Sequence, residues 1–339
     1  MAKKKDDTLH IGIDLGTSRS AIAASNNKKE WIESYVAWPT DFVARKMLGQ
    51  DVLIGTEAIE NRLSVSLVRP LEHGVIRDGT ERDEEAVQEL IHYLVDRVRA
   101  SDDQQVHAAV GVPAEALKVN KLAIRDAVRK HADALMVVSE PFAVAYGLDA
   151  LNNAMIIDIG AGTVDFCVMH GTMPTEEDQR SIHMAGDQID RQLQELLKEA
   201  HPDASFSDVL VRKVKEEQGF VRKNGRKSVK IEVPVNGRDT NIDITDSVRQ
   251  ACESIIPAIV ETAVDLIASY EPEFQKLLRK NVYLAGGGSQ LEGMVEALED
   301  EFEEYGSCKV TRVDDPLFAG ATGALALAQD MPEKYWEAM

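Results

Sequence analysis

Two short stretches of this 339-residue chain each set an aspartate and a glycine at the end of an apolar strand pattern. In Met155 to Phe166, MIIDIGAGTVDF, the acid is Asp158 and the glycine Gly160, followed by Ala161, Gly162 and Thr163 before a second strand. In Leu9 to Ala23, LHIGIDLGTSRSAIA, Asp14 and Gly16 stand in the same places and are followed by Thr17 and Ser18. Small residues let consecutive backbone N–H groups close around phosphate oxygens, and a single carboxylate suits a hydrated Mg2+. One Asp-x-Gly at a strand end is more often a plain turn than a site. The repeat points instead to two halves gripping one polyphosphate ligand.

The elements that would hold these turns are also repeated. After the first turn come VHAAVGVPA (Val106 to Ala114), a helical pattern through Arg129, ALMVV (Ala134 to Val138), then Ser139-Glu140-Pro141 and a helix of small residues. After the second come NVYLAGGG (Asn281 to Gly288), a helical pattern through Glu304, KVTRV (Lys309 to Val313), then Asp314-Asp315-Pro316 and another small-residue helix. With a hairpin ahead of each copy, this is the sequence form of a duplicated β-β-β-α-β-α, ribonuclease H-like domain in an α/β protein.

The turns, Glu140-Pro141 and Ala285-Gly286-Gly287-Gly288 together resemble the actin, Hsp70 and sugar-kinase ATPase superfamily over roughly residues 8 to 330. VVSEPFAVAYGLD, GTMPTEEDQ, AGGGSQ and DPLFAGATGALALAQDMPEKYW resemble one branch, the actin-like filament proteins of bacterial magnetosome chains. The resemblance implies an actin-like ATPase fold with two smaller inserted subdomains. Its expected subdomains are IA (8–37, 63–147 and 316–339), IB (38–62), IIA (148–185 and 247–315) and IIB (186–246). It also implies ATP or ADP with Mg2+ as ligands, Asp14 and Asp158 as metal-holding acids acting through water, and Glu140 as the residue that polarises the attacking water. Phosphate would lie on Gly16, Thr17, Ser18, Gly160, Ala161, Gly162 and Thr163. Adenosine would be met by Gly186, Asp187, Arg212, Lys215, Gly286, Gly287, Gly288 and Gln290. Arg212 stands at what looks like the family's acidic ribose position, which is a departure; read from the residues alone, Arg212, Lys215 and Glu216 are equally a solvated helix face. Glu140, too, has a plain alternative as the acid of a helix N-terminus.

Composition bounds the function. The formal net charge of −20 disfavours nucleic acid as a partner, and 44% hydrophobic with 28% charged residues is ordinary for a globular protein. Cys167, Cys252 and Cys308 are dispersed, without C-x-x-C spacing, and read as buried free thiols in a reducing cytoplasm. The eight histidines read as surface residues. No apolar run reaches the length of a membrane span, and Met1 to Asp7 lacks the apolar core of a signal peptide. P-loop, G-x-G-x-x-G, protein-kinase and metal-cluster signatures are missing from the sequence.

Several stretches surround the repeat. Trp31 to Ala37 predicts a third strand, and Trp38 to Arg62 reads as either a small inserted subdomain or a solvated loop. Thr80 to Arg99 predicts an amphipathic helix with acids first and arginines last. Gly186 to Asp246 predicts two helical stretches and a hairpin around Asn236-Gly237, Val248 to Tyr270 one apolar helical stripe, and Ser289 the start of a helix. Three classes then compete: a polymerising actin-like ATPase, a small-molecule kinase and a chaperone-type ATPase. A chaperone calls for a substrate domain after the ATPase core, and a kinase for an acceptor site with its own base. Neither is visible, so a cytoplasmic, cytoskeletal filament is expected, self-associating and contacting adaptor proteins on magnetosome membranes.

Overall fold

Burial along the first strand, β1 (Leu9–Leu15), follows the period-two apolar pattern, with Leu9, Ile11, Ile13 and Leu15 almost wholly enclosed. In this computed structural model, which describes residues 8–76, 80–101, 103–115, 118–222 and 228–338, β2 (Arg19–Ala24) and β3 (Lys29–Glu33) return antiparallel beside it. Met1 to Asp7 lie outside the described residues. The chain continues through β4 (Val36–Pro39), α1 (Phe42–Leu48), β5 (Leu53–Ile54), α2 (Thr56–Glu60), β6 (Val65–Val68), β7 (Leu71–Glu72) and β8 (Val75–Ile76). Strands β5, β4 and β6 form a small sheet over Ala37, Leu53, Ala58 and Val65. The stretch expected at 38–62 is therefore a folded element, and it runs from Val36 to Val68.

Helix α3 (Glu81–Val98) starts where Thr80 accepts the Asp83 N–H, keeps Glu81, Asp83 and Glu84 in its first turn, and buries Val87, Leu90, Ile91, Leu94, Val95 and Val98. Next come β9 (Val106–Val112), α4 (Lys118–Val128), β10 (Ala134–Ser139) and α5 (Glu140–Gly147). The second copy follows: β11 (Asn152–Ile159), β12 (Val164–His170), β13 (Gln179–Ile182), α6 (Gly186–Ala200) and α7 (Asp208–Gln218). Strands β14 (Lys230–Val235) and β15 (Arg238–Asp243) meet at Asn236 and Gly237, whose φ values of 50° and 77° are those of a primed two-residue turn.

The stripe expected as one helix is two, α8 (Thr245–Glu253) and α9 (Ile256–Ala268). Pro257 in the first turn of α9 has no N–H to continue a ladder from α8. After α10 (Pro272–Arg279) and β16 (Val282–Ala285), the helix expected near Ser289 begins later, as α11 (Met294–Phe302). Gly286 at φ 77° and Gly293 at φ 84° interrupt the path, leaving one 3-10 turn between them. Strand β17 (Val310–Arg312), α12 (Ala319–Asp330) and β18 (Glu337–Ala338) complete the chain.

Two compact units result. The first contains residues up to Asn152, Met169–Ser181 and those from Leu317 onward; the second contains Asn153–Val168 and Ile182–Pro316. One sheet has the order β18-β10-β9-β1-β2-β3 and another the order β13-β12-β11-β16-β17. Apart from β18, β10-β9-β1-β2-β3 repeats as β17-β16-β11-β12-β13, and β9, β10, β16 and β17 run parallel to their neighbours on the inner side. The duplication read from the sequence is thus a duplication of topology.

Cys167 and Cys252 are buried, Cys308 is half-buried, and none of the three is in a disulfide. Burial pushes the Cys252 and Cys308 thiols up to about 12, so both stay protonated near neutral pH. His92, His170 and His183 are exposed, as a surface reading expects, while His10, His107 and His131 are half-buried. His10 and His107 stack edge to face at 5.5 Å, with the Trp336 ring 5.1 Å from His107, and burial first, then His92, lowers the His131 pKa. Among the described residues, no helix is long and apolar enough to cross a membrane.

Candidate functional site

In the first unit, strand register alone brings the predicted residues into a row. Asp14 is paired with Gly111 on β9, Gly111 with Val138 on β10, and Glu140 follows two residues later as the opening residue of α5, with Pro141 beside it. A Cβ on Gly111 would lie 3.1 Å from Glu140 Cγ, so the glycine is what admits the glutamate to this row. At the start of α12, a Cβ on Gly320 would come 2.6 Å from Asp14 Oδ2. The absence of that Cβ lets the positive end of the helix approach the carboxylate and favour its charge.

The turn after β1 is braced from outside. Ser34 Oγ donates to Gly16 O at 2.7 Å, Arg69 Nε to Thr17 O at 2.9 Å, and the Gly74 N–H to Thr17 Oγ1 at 2.7 Å. Thr17 Oγ1, expected as a phosphate contact, accepts the Gly74 N–H and keeps its own O–H to donate. Ser18 differs: its Oγ is enclosed and has no hydrogen-bond partner among the described residues. Ser34, Arg69 and Gly74 were not foreseen, since they arrive from 18 to 57 positions further along the chain and carry no local motif.

In the second unit, Asp158 pairs with Ala285, and the turn closes through the Gly160 N–H donating to Thr163 O at 2.9 Å. The positive φ of Gly286 is the backbone shape only glycine adopts easily, and a Cβ there would sit on the Asp158 carboxylate. One on Gly288 would strike Ile159. The head of α6 is tied to the turn: Gly186 N–H donates to Gly160 O at 3.1 Å and Asp187 N–H to Ala161 O at 2.7 Å. Lys215 Nζ donates to Gly186 O at 3.0 Å and pairs with Asp190 Oδ1 at 2.9 Å, while Arg212 Nε lies 3.7 Å from Asp190 Oδ2. Gly287 and Gln290 lie exposed on the 3-10 turn, and no hydrogen bond among the described residues joins Gln290 to the others. Asp190 was missed by sequence reasoning. Its signal is spacing: it falls one helical turn after Gly186 and Asp187 on the face toward α7.

These features fit an anionic, phosphate-bearing ligand. Ser18 supplies a buried hydroxyl without a protein partner, and the Gly160 turn offers backbone where side chains are minimal. Among the described residues, no group of three or more His, Cys, Asp or Glu is arranged to hold a metal directly.

Repeated sheets of matching strand order, each carrying an acid–glycine turn, define an actin-like fold. A family model described as MreB/Mbl protein matches residues 8–335. The chain belongs to the MreB/Mbl family. It is 38% identical over 328 residues to the actin-like protein MamK of Magnetospirillum gryphiswaldense, covering 97% of this chain and 91% of that one. Among solved structures, a MamK double helical filament matches with a TM-score of 0.93 and 36% identity, covering 96% of this chain and 100% of that chain. A non-polymerising MamK mutant bound to AMPPNP matches with a TM-score of 0.72 at the same identity and coverage.

Proposed function

We propose that this chain is an actin-like ATPase that assembles into filaments with ATP and disassembles after hydrolysis. The observation that carries the reading is the agreement in fold with the subunit of a MamK double helical filament along nearly its whole length. The AMPPNP-bound MamK mutant supports a nucleotide triphosphate as the ligand. In this reading Gly16, Thr17, Ser18 and Gly160 to Thr163 would bind phosphate oxygens, and Asp14 and Asp158 would hold a hydrated Mg2+, which would neutralise phosphate charge. Glu140 orients water in line with the γ-phosphate, a task of positioning rather than covalent chemistry. Gly186, Asp187, Arg212, Lys215, Gly286, Gly287, Gly288 and Gln290 form the nucleoside side.

The same reading extends to surroundings. The filament lies in the cytoplasm alongside magnetosome membranes and contacts adaptor proteins there, and a chain of net charge −20 suits basic adaptor surfaces. Pelleting and light scattering with and without Mg-ATP test the central claim. A threshold concentration above which polymer forms is expected; protein that stays monomeric at every concentration and phosphorylates an added sugar or acid would overturn it.

A further inference from the structure

Lys215 is an ammonium group at 9% residue exposure, sunk between two helices. The ammonium donates a hydrogen bond to the Gly186 carbonyl at the head of α6 and lies 2.9 Å from Asp190 Oδ1 on that helix, close enough for an ion pair. Gly186 and its neighbour Asp187 in turn donate their N–H groups to the Gly160 and Ala161 carbonyls. A continuous chain of contacts therefore runs Asp190, Lys215, Gly186, Gly160. A Cβ on Gly186 would stand 3.2 Å from Ala161 Cα and 3.4 Å from Lys215 Nζ, so this path has no slack at its midpoint.

We propose that Asp190 is a positioning residue for the nucleotide site, fixing the second acid–glycine turn through Lys215. The proposal rests on the nucleotide reading given above. Removing the Asp190 charge takes away the ion-pair partner of a buried ammonium, which then cannot remain in place at low cost because part of its desolvation is uncompensated. Arg212, whose Nε lies 3.7 Å from Asp190 Oδ2, is the second cation at this carboxylate, and at that distance it is a weaker partner than Lys215 at 2.9 Å. Loss of the Asp190 charge lets Lys215 withdraw from Gly186. The head of α6 and the carbonyls of Gly160 and Ala161 then lose their shared anchor, and the turn amides lose the arrangement that phosphate oxygens need.

The test uses the full chain and AMPPNP. Asp190→Asn preserves shape and removes charge; it should weaken AMPPNP binding by about tenfold or more, as outer-shell partners of a site commonly do. Asp190→Glu should recover most of the affinity. In a Lys215→Met background, Asp190→Asn should add little further loss, because the lysine it acts through is gone. Amide exchange in nucleotide-free protein should quicken at Gly160 to Thr163 and stay as in the wild type at Gly16 to Ser18. Additive losses in the double variant, or an Asp190→Asn protein matching wild type in both exchange and binding, overturn this inference alone. Wild-type protein that binds no AMPPNP overturns the nucleotide reading and this role with it.

Discussion

The two acid–glycine turns share a sequence plan and a place in equivalent sheets, yet they are held by different means. The first is braced by side chains and backbone from the region after β3, through Ser34, Arg69 and Gly74, and it presents a hydroxyl at Ser18. The second is braced by the head of a helix, whose N–H groups take up the Gly160 and Ala161 carbonyls, with Lys215 and Asp190 behind it. In the first unit a helix start, at Gly320, closes on Asp14; in the second a strand end, at Gly286, closes on Asp158. The duplicated strands thus supply the acid and the turn, while each copy's own insertion decides how rigid the turn is and which atoms it offers.

The largest expected effect breaks the symmetry of the acid-Pro segments. Glu140-Pro141 and Asp315-Pro316 are counterparts in the two copies, and Glu140 stands at the end of the row Asp14, Gly111, Val138 in the first. Glu140→Ala should slow phosphate release by ~10²-fold or more while leaving ATP binding and assembly nearly intact, the usual result of removing one positioning group. Filaments of this variant should outlast those of the wild type after a single addition of ATP. Asp315→Ala should turn over much as the wild type does. Phosphate release and light scattering followed together give the answer; loss of assembly in the Glu140 variant would make that residue a structural helix acid.

Next comes a test of equivalence between the turns. Asp14→Ala and Asp158→Ala should each weaken Mg2+-dependent nucleotide binding by about 10- to 100-fold, the range found for groups that hold a metal through an outer shell. The control is Asp165, one strand position past the second turn and only 1% exposed. Asp165→Asn keeps its volume in that enclosed place and should change nucleotide affinity little. A loss as large as that of the two aspartates would show that the hairpins are aligned one step wrongly.

What the sequence made legible follows from range. Asp14, Gly16, Asp158 and Gly160 sit in local patterns of strand and turn, and α3 declares itself by period, cap and charge order within 20 residues, so both are readable from neighbours alone. Pro257 divided a stripe whose apolar period continued across the break, because periodicity is blind to one missing N–H. Ser34, Arg69, Gly74 and Gly320 could not be found in the same way. Each reaches its turn or partner through the tertiary fold, and the residue types involved are common on any surface.

The smallest effect separates two adjacent hydroxyls within the first turn. Ser18 Oγ is enclosed without a partner among the described residues, whereas Thr17 Oγ1 accepts the Gly74 N–H at 2.7 Å. If Ser18 serves the ligand, Ser18→Ala removes one bond to a charged oxygen and should weaken AMPPNP binding by about tenfold, near the lower bound of ~1.5 kcal/mol for such bonds. Its nucleotide-free stability should hold or rise, since an unsatisfied polar atom is taken out of the interior. Thr17→Val should do the reverse. It leaves the buried Gly74 N–H without its acceptor, at a cost of roughly 1–3 kcal/mol in folding, with a smaller change in affinity for properly folded protein. Denaturant unfolding without nucleotide and AMPPNP titration on the same two variants read both quantities. A Ser18→Ala protein that loses stability and keeps its affinity would mean that the first turn uses both hydroxyls for bracing, and that any phosphate contacts it makes come from its backbone.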